Sequence, residues 1–172
     1  FELDVLCRMG KLTEVLDKIR SYWGGMLDLG AVTFWEEYDP SVPKEEQYDM
    51  YGDHFGKSLC HAWAASPIYF LAKYFAGLDV INKIYGQLKA FKKLDVAMDI
   101  MHIKDGVTYI LKPQMQYFTE LDCTLPVGSN GVMRLVWDGE ILEITPNADG
   151  GILELGEQKL SLVRGETRRV KI

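Results

Sequence analysis

Cysteine is scarce: Cys7, Cys60 and Cys123 are an odd number, and no two are closely spaced. That excludes a disulfide framework and gives no zinc-ligand spacing. Cys60 directly precedes His61, but neighbours on a helix point about 100° apart and make a poor catalytic pair. A free cysteine is more often a small buried hydrophobe. Basic excess is also missing. Nineteen Lys and Arg face 25 Asp and Glu, for a net charge of −6, so no phosphate-binding surface is indicated and nucleic acid is not an expected partner. The short basic runs, Lys92-Lys93 and Arg168-Arg169, read as solvated surface. No apolar run approaches the ~18 residues of a membrane span. The opening FELDVLCRMG has acids and no basic stretch, unlike a signal peptide. It lacks an initiator Met and reads as the middle of an amphipathic helix, as expected of a segment of a longer protein, so the compartment stays open.

What is present is the composition of a globular chain, 48% hydrophobic and 12% aromatic. Up to about Gly77 the pattern is helical. Leu3, Leu6, Cys7 and Met9 form a short apolar stripe ending at Gly10, a good helix-stop residue. Leu12, Val15, Leu16, Ile19, Trp23 and Met26 then recur at helical steps, predicting a helical hairpin weakened at Gly24-Gly25. Residues 30–56 carry Pro40, Pro43, Gly52 and Gly56 among acids and aromatics, and predict a long loop of a functional kind. Residues 57–76 predict a buried apolar helix, capped by Ser58 and kinked or restarted at Pro67. From Asp79 the pattern changes. After a mixed stretch, short β-type runs appear at 107–111, 132–137, 141–144, 152–155, 160–163 and 168–172. Turn signals such as Asp105-Gly106, Asn130-Gly131 and Asp138-Gly139 separate them. Their spacing predicts a small antiparallel β-sandwich.

Chemistry concentrates in Thr33–Asp39 (TFWEEYD), which sets carboxylates among aromatics. A carbohydrate site needs that mixture: a carboxylate for acid or base work, and rings to pack on sugar C–H faces. The same residues also suit a polar loop capping helices, and composition leaves both readings open. His61, on an apolar run, reads as a hydrogen-bonded core residue. His54 reads as exposed, and His102 has no evident partner.

Three consecutive segments, Tyr22–Met26 (YWGGM), Gly30–Pro40 (GAVTFWEEYDP) and Ser58–Gly77 (SLCHAWAASPIYFLAKYFAG), resemble glycoside hydrolase family 78, the bacterial α-L-rhamnosidases. The family motif runs Gly-Ala-Thr-Thr-x-Trp-Glu-x-Trp-Asp, followed by Ser-x-x-His. Gly30, Ala31, Thr33, Trp35, Glu36 and Asp39 match it, while Val32 and Tyr38 depart from it. The Glu36–His61 separation of 25 residues is slightly long for the family, which implies a short insertion in the loop.

The resemblance implies an inverting hydrolase of terminal α-L-rhamnosyl bonds. Glu36 would be its general base, with Trp35 and His61 contacting the sugar, and Glu37 would fall at a variable position. No cofactor or metal is implied. Inversion needs a second carboxyl group roughly 6.5–9.5 Å away. The family's acidic motif is absent from these residues, so the acid is expected upstream and the chain alone is expected to be inactive. The implied fold is α+β and multidomain. Residues 1–78 would be the last hairpins of an (α/α)6 barrel, and 79–172 a C-terminal antiparallel β-sandwich. The expected partner is a rhamnose-containing glycoside or polysaccharide. Exposed barrel helices, such as the Leu12–Trp23 stripe, could drive self-association. Two other classes remain: another (α/α)6 glycosidase or lyase, and a non-catalytic carbohydrate-binding or structural module centred on the β-half, whose aromatics include Tyr85, Phe91 and Trp137.

Overall fold

A computed structural model describes residues 1–80, 107–127 and 131–172. Tyr85, Phe91, Lys92-Lys93, His102, the Asp105-Gly106 turn and Asn130 lie outside the described residues. The chain divides into two compact units, Phe1–Leu71 and Ala72–Ile172.

The first unit opens with a helical hairpin, α1 (Glu2–Arg8) and α2 (Leu12–Asp28). Its short connection works because Gly10 adopts φ 73° and closes α1: the Gly10 and Lys11 N–H groups donate to the Cys7 and Leu6 carbonyls. The apolar stripe of α2 buries Val15, Leu16, Ile19 and Met26 inside this unit. It is therefore used internally and does not form an open face. Gly24-Gly25 does not end α2, which runs on to Asp28. At Gly25 the reason is steric, since a Cβ there would lie 2.4 Å from the Tyr38 ring. The glycine's helical cost is accepted so that an aromatic from the following loop can lie against the helix.

The expected barrel hairpins are not formed. The described residues contain three α-helices and eight strands, which is not a piece of an (α/α)6 barrel. The apolar run 57–76 accounts for the difference. The N–H of Glu36 donates to the Ser58 carbonyl (2.9 Å) and that of His61 to the Phe34 carbonyl (2.8 Å). The first bond takes the Ser58 carbonyl, which a helix capped by Ser58 would use for its own first bond, and residues 58–61 are irregular backbone. A single 3₁₀ turn follows at Ala62–Ala64. Pro67, lacking an N–H, sits in the first turn of a new helix, α3 (Ser66–Phe70). A π-type turn, Leu71–Phe75, then carries the chain onward. His61 thus precedes a 3₁₀ turn and is not part of a long helix.

The second unit contains two four-stranded sheets. One is ordered β1 (Leu78–Val80), β2 (Tyr109–Leu111), β6 (Gly151–Leu155), β7 (Gln158–Leu162). The other is ordered β3 (Leu121–Pro126), β4 (Val132–Trp137), β5 (Ile141–Pro146), β8 (Arg168–Lys171). Burial alternates along β4 and β5 with the period of two that a half-buried strand requires. One shared core contains Leu78, Tyr109, Leu135, Ile144, Leu153 and Leu162. The purely antiparallel expectation fails at one place, because β2 pairs with β6 in parallel. Asp138-Gly139 turns β4 back into β5: the Asp138 carboxylate accepts from the N–H groups of Glu140 and Ile141, 2.9 and 2.7 Å away.

Leu135 is fully buried at the centre of this core. Truncation there removes buried methyl groups and leaves a cavity, so Leu135→Ala should lower the unfolding free energy by about 2–5 kcal/mol. Urea unfolding followed by Trp fluorescence and circular dichroism tests this. A loss below about 1 kcal/mol would mean that Leu135 is not core.

A carboxylate site between two irregular segments

The residues of the 30–39 segment have distinct local tasks. Gly30 adopts φ 90° and ends α2. Its N–H donates to the Leu27 carbonyl and that of Ala31 to the Met26 carbonyl, and Ala31 packs with Met26 in a small core. This is the hydrogen-bond and apolar pattern of a left-handed helix stop. The Thr33 hydroxyl donates to the Leu59 carbonyl. Trp35 is 4% exposed and joins Met26 and Ala31 in that core, its ring edge-on to Tyr48 at 5.5 Å. It lies beneath the site and does not line an open surface. The Asp39 carboxylate accepts from the Ser41 N–H (2.8 Å) and hydroxyl (2.6 Å), closing a local turn. Those two bonds, hydroxyl first, hold its carboxyl below the usual aspartate range.

Glu36 is the exception. Its backbone joins the 58–61 segment, but its carboxylate emerges into a polar, half-open site. Oε1 accepts from the Tyr51 phenol at 2.6 Å, and Oε2 accepts from the Ser58 N–H at 3.2 Å. The imidazole Nδ1 of His61 lies 3.9 Å from Oε2. The Glu36 and His61 side chains keep 18% and 29% exposure, so solvent reaches both. The structure thus brings two of the residues singled out from sequence, Glu36 and His61, to one point. The third, Trp35, goes to the core.

The electrostatics follow from these contacts. The Tyr51 hydrogen bond chiefly, then that of the Ser58 N–H, favours the charged form and pulls the Glu36 carboxyl below the usual glutamate range. Desolvation opposes this, and His61 and Lys57 add smaller effects in the lowering direction. The same bond pushes the Tyr51 phenol upward. Glu36 is therefore an ionised acceptor through neutral pH, suited to taking up a proton and unsuited to donating one.

Three neighbours carry weight that the sequence pattern did not give them. Tyr51 is one aromatic among several in an acidic loop. Its only local signal is the following Gly52, with φ 82°, in a tight turn where Tyr51 itself has φ 57°. Trp63 is 91% exposed, its ring edge-on to His61 at 6.0 Å. Lys57 is a nearly buried charge close enough to act on both Glu36 and Asp39. Of the remaining candidates, His54 is exposed with Nδ1 2.6 Å from the Asp49 carboxylate, and Cys60 is exposed. Among the described residues no group of three or more His, Cys, Asp or Glu side chains could hold a metal ion. No helix among them is long and apolar enough to cross a membrane.

No protein-family model matches this chain, and no curated protein matches it significantly.

The sign of the pH effect at Glu36 is fixed by its lowered value. A carboxyl whose folded pKa lies below its unfolded pKa adds stability above the unfolded pKa, and that stability is lost as pH falls through the folded one. Acidification below the ordinary glutamate range should therefore destabilise the wild-type chain more steeply than Glu36→Gln, which carries no charge to lose. Thermal unfolding at a series of pH values measures both slopes. Equal slopes would show that the carboxylate contacts do not survive in solution.

Proposed function

We propose that Glu36 is the general base of an inverting α-L-rhamnosidase, and that this chain supplies the base side of that enzyme's active site. The observation that carries the reading is the meeting of Glu36 and His61, 25 residues apart in sequence, at 3.9 Å. It is supported by the motif GAVTFWEEYD and by the way most of that motif is accounted for locally. Gly30 and Ala31 stop a helix, Thr33 and Asp39 fix turns, and Trp35 fills a core. Those tasks leave Glu36 as the matching carboxylate that is not used to close a local turn.

On this reading the Glu36 carboxylate takes a proton from a water while the water oxygen bonds to the anomeric carbon of the rhamnosyl unit. The glycosidic C–O bond breaks on the opposite face, and the leaving oxygen receives its proton from a carboxylic acid outside this chain. The products are the free sugar, with inverted anomeric configuration, and the aglycone alcohol. His61, with a ring nitrogen near Oε2, hydrogen-bonds the sugar or the water. The exposed ring of Trp63 offers an apolar face to the sugar's C–H surface.

Two assays with an aryl α-L-rhamnoside test this. In a longer protein containing this chain, Glu36→Gln should lower kcat by about 10²–10⁴-fold, the range of a lost general base, with little change in KM. A kcat within threefold of wild type would remove Glu36 from the role. The 172-residue chain alone should show no turnover. Robust turnover would show that the proton donor lies within it.

A further inference from the structure

Tyr51 stands out because its backbone and its side chain are both committed. It is the one non-glycine residue with positive φ among the described residues, at 57°. That is unusual for a bulky side chain, and such conformations persist where the surroundings over-determine them. The turn is closed on itself: the Met50 N–H donates to the Asp53 carbonyl, the Asp53 N–H donates to the Met50 carbonyl, and both distances are 3.0 Å. Gly56 seals the far side, since a Cβ there would stand 2.1 Å from the Met50 carbonyl oxygen. The Lys57 N–H returns the chain to the Tyr48 carbonyl at 3.1 Å. This fixed loop delivers a phenol that is 81% exposed overall, yet places its hydroxyl 2.6 Å from Glu36 Oε1.

We infer that Tyr51 is a positioning residue that occupies Oε1 of Glu36 and so leaves Oε2, on the His61 side, as the oxygen available for proton transfer. The functional half of this inference rests on the reading of Glu36 as a general base; the positional half does not. A carboxylate bound at one oxygen only can rotate about its terminal torsion, which is broad. Donors on both oxygens hold the plane of the group. Oε1 receives the short bond. Among the described residues Oε2 receives only the longer Ser58 N–H bond and lies nearest the imidazole, so it retains the capacity to accept from a further ligand. The other charged groups acting here are His61 and Lys57 on Glu36 and Glu37 on Tyr51, and none of them needs to change for this to operate.

The test is made on the 172-residue chain with ¹³C-labelled glutamate, following the side-chain carboxyl of Glu36 by NMR as pH is lowered. Tyr51→Phe keeps the ring and removes the donor. Tyr51→Asn, which tolerates positive φ, removes the ring as well and keeps the turn. Amide spectra confirm that each variant is folded. In both, the Glu36 midpoint should rise toward that of an ordinary glutamate, because a donor favouring the charged form is gone. A midpoint that stays at the wild-type value in a folded variant overturns the inference. In a longer, active protein the acidic limb of kcat/KM should rise in step. A shifted NMR midpoint with an unmoved acidic limb would leave Tyr51 as the residue that sets Glu36 and count against Glu36 as the base.

Discussion

The exchange of hydrogen bonds between residues 34–36 and 58–61 is the constraint on which the first unit's chemistry depends. Three bonds join five backbone groups and one carboxylate: the Glu36 N–H on the Ser58 carbonyl, the His61 N–H on the Phe34 carbonyl, and the Ser58 N–H on Glu36 Oε2. Each is an ordinary hydrogen bond, worth little net against water. Their importance lies in what they displace. Residues 58–61 open a run of helical composition, yet the Ser58 carbonyl, which would accept the first bond of a helix capped there, is taken by Glu36. The chain exchanges a regular element for a junction that sets Glu36 beside His61. The buried Trp35 between Phe34 and Glu36 anchors the junction on the small core of Met26 and Ala31.

The loop across residues 39–57 is held by a second set of constraints, independent of regular structure. The Gln47 amide nitrogen, buried with the rest of its side chain, donates to the carbonyls of Asp39 and Val42 at 2.6 and 2.8 Å. Asp39 binds Ser41, and the 50–53 turn bonds to itself. Loops this long are ordered only when their backbone polar groups find partners, and here the Gln47 amide supplies donors and the Asp39 carboxylate an acceptor. The result is a rigid arm from the end of the Glu36 segment to the Tyr51 phenol. Packing of Tyr48 on Trp35 ties that arm back to the core.

Local signals were well legible in the sequence. Gly10 after α1, the heptad-like stripe of α2, the Asp138-Gly139 turn and the strand runs 132–137 and 141–144 all occur where their patterns place them. Each depends on neighbours a few residues away, which is what periodicity and turn chemistry report. Long-range choices were less legible. The run 57–76 has helical composition and is broken by partners some 25 residues distant that no window can see. The strands β1 and β3 carry no strand signal, because three-residue Leu78–Val80 is too short to show a period and Leu121–Pro126 interleaves Asp122, Thr124 and a proline. The parallel pairing of β2 with β6 was hidden for the same reason, as strand order is a property of contacts across 40 residues. At the site, Glu36 and His61 could be singled out by residue type and spacing. Tyr51 could not, since the Gly52 that follows it marks a turn and does not show that its phenol, rather than that of Tyr38 or Tyr48, reaches Glu36.

The direction of the Glu36 shift bears on what kind of base it would be. Hydrogen bonds that favour the carboxylate make it a weaker base, which by Brønsted behaviour slows proton uptake somewhat. The same bonds keep the group ionised when the surroundings are mildly acidic, where an ordinary glutamate begins to protonate. A base also gains from orientation, because a reacting water must be held on one lone pair at the right angle to its target. Donors on both oxygens supply that orientation. The site therefore exchanges a little intrinsic basicity for a fixed geometry and a charge that persists to lower pH. A glutamate left free in solvent would be the stronger base and the less directed one. That trade is consistent with proton abstraction from a single bound water and would suit a diffusing, variable substrate poorly.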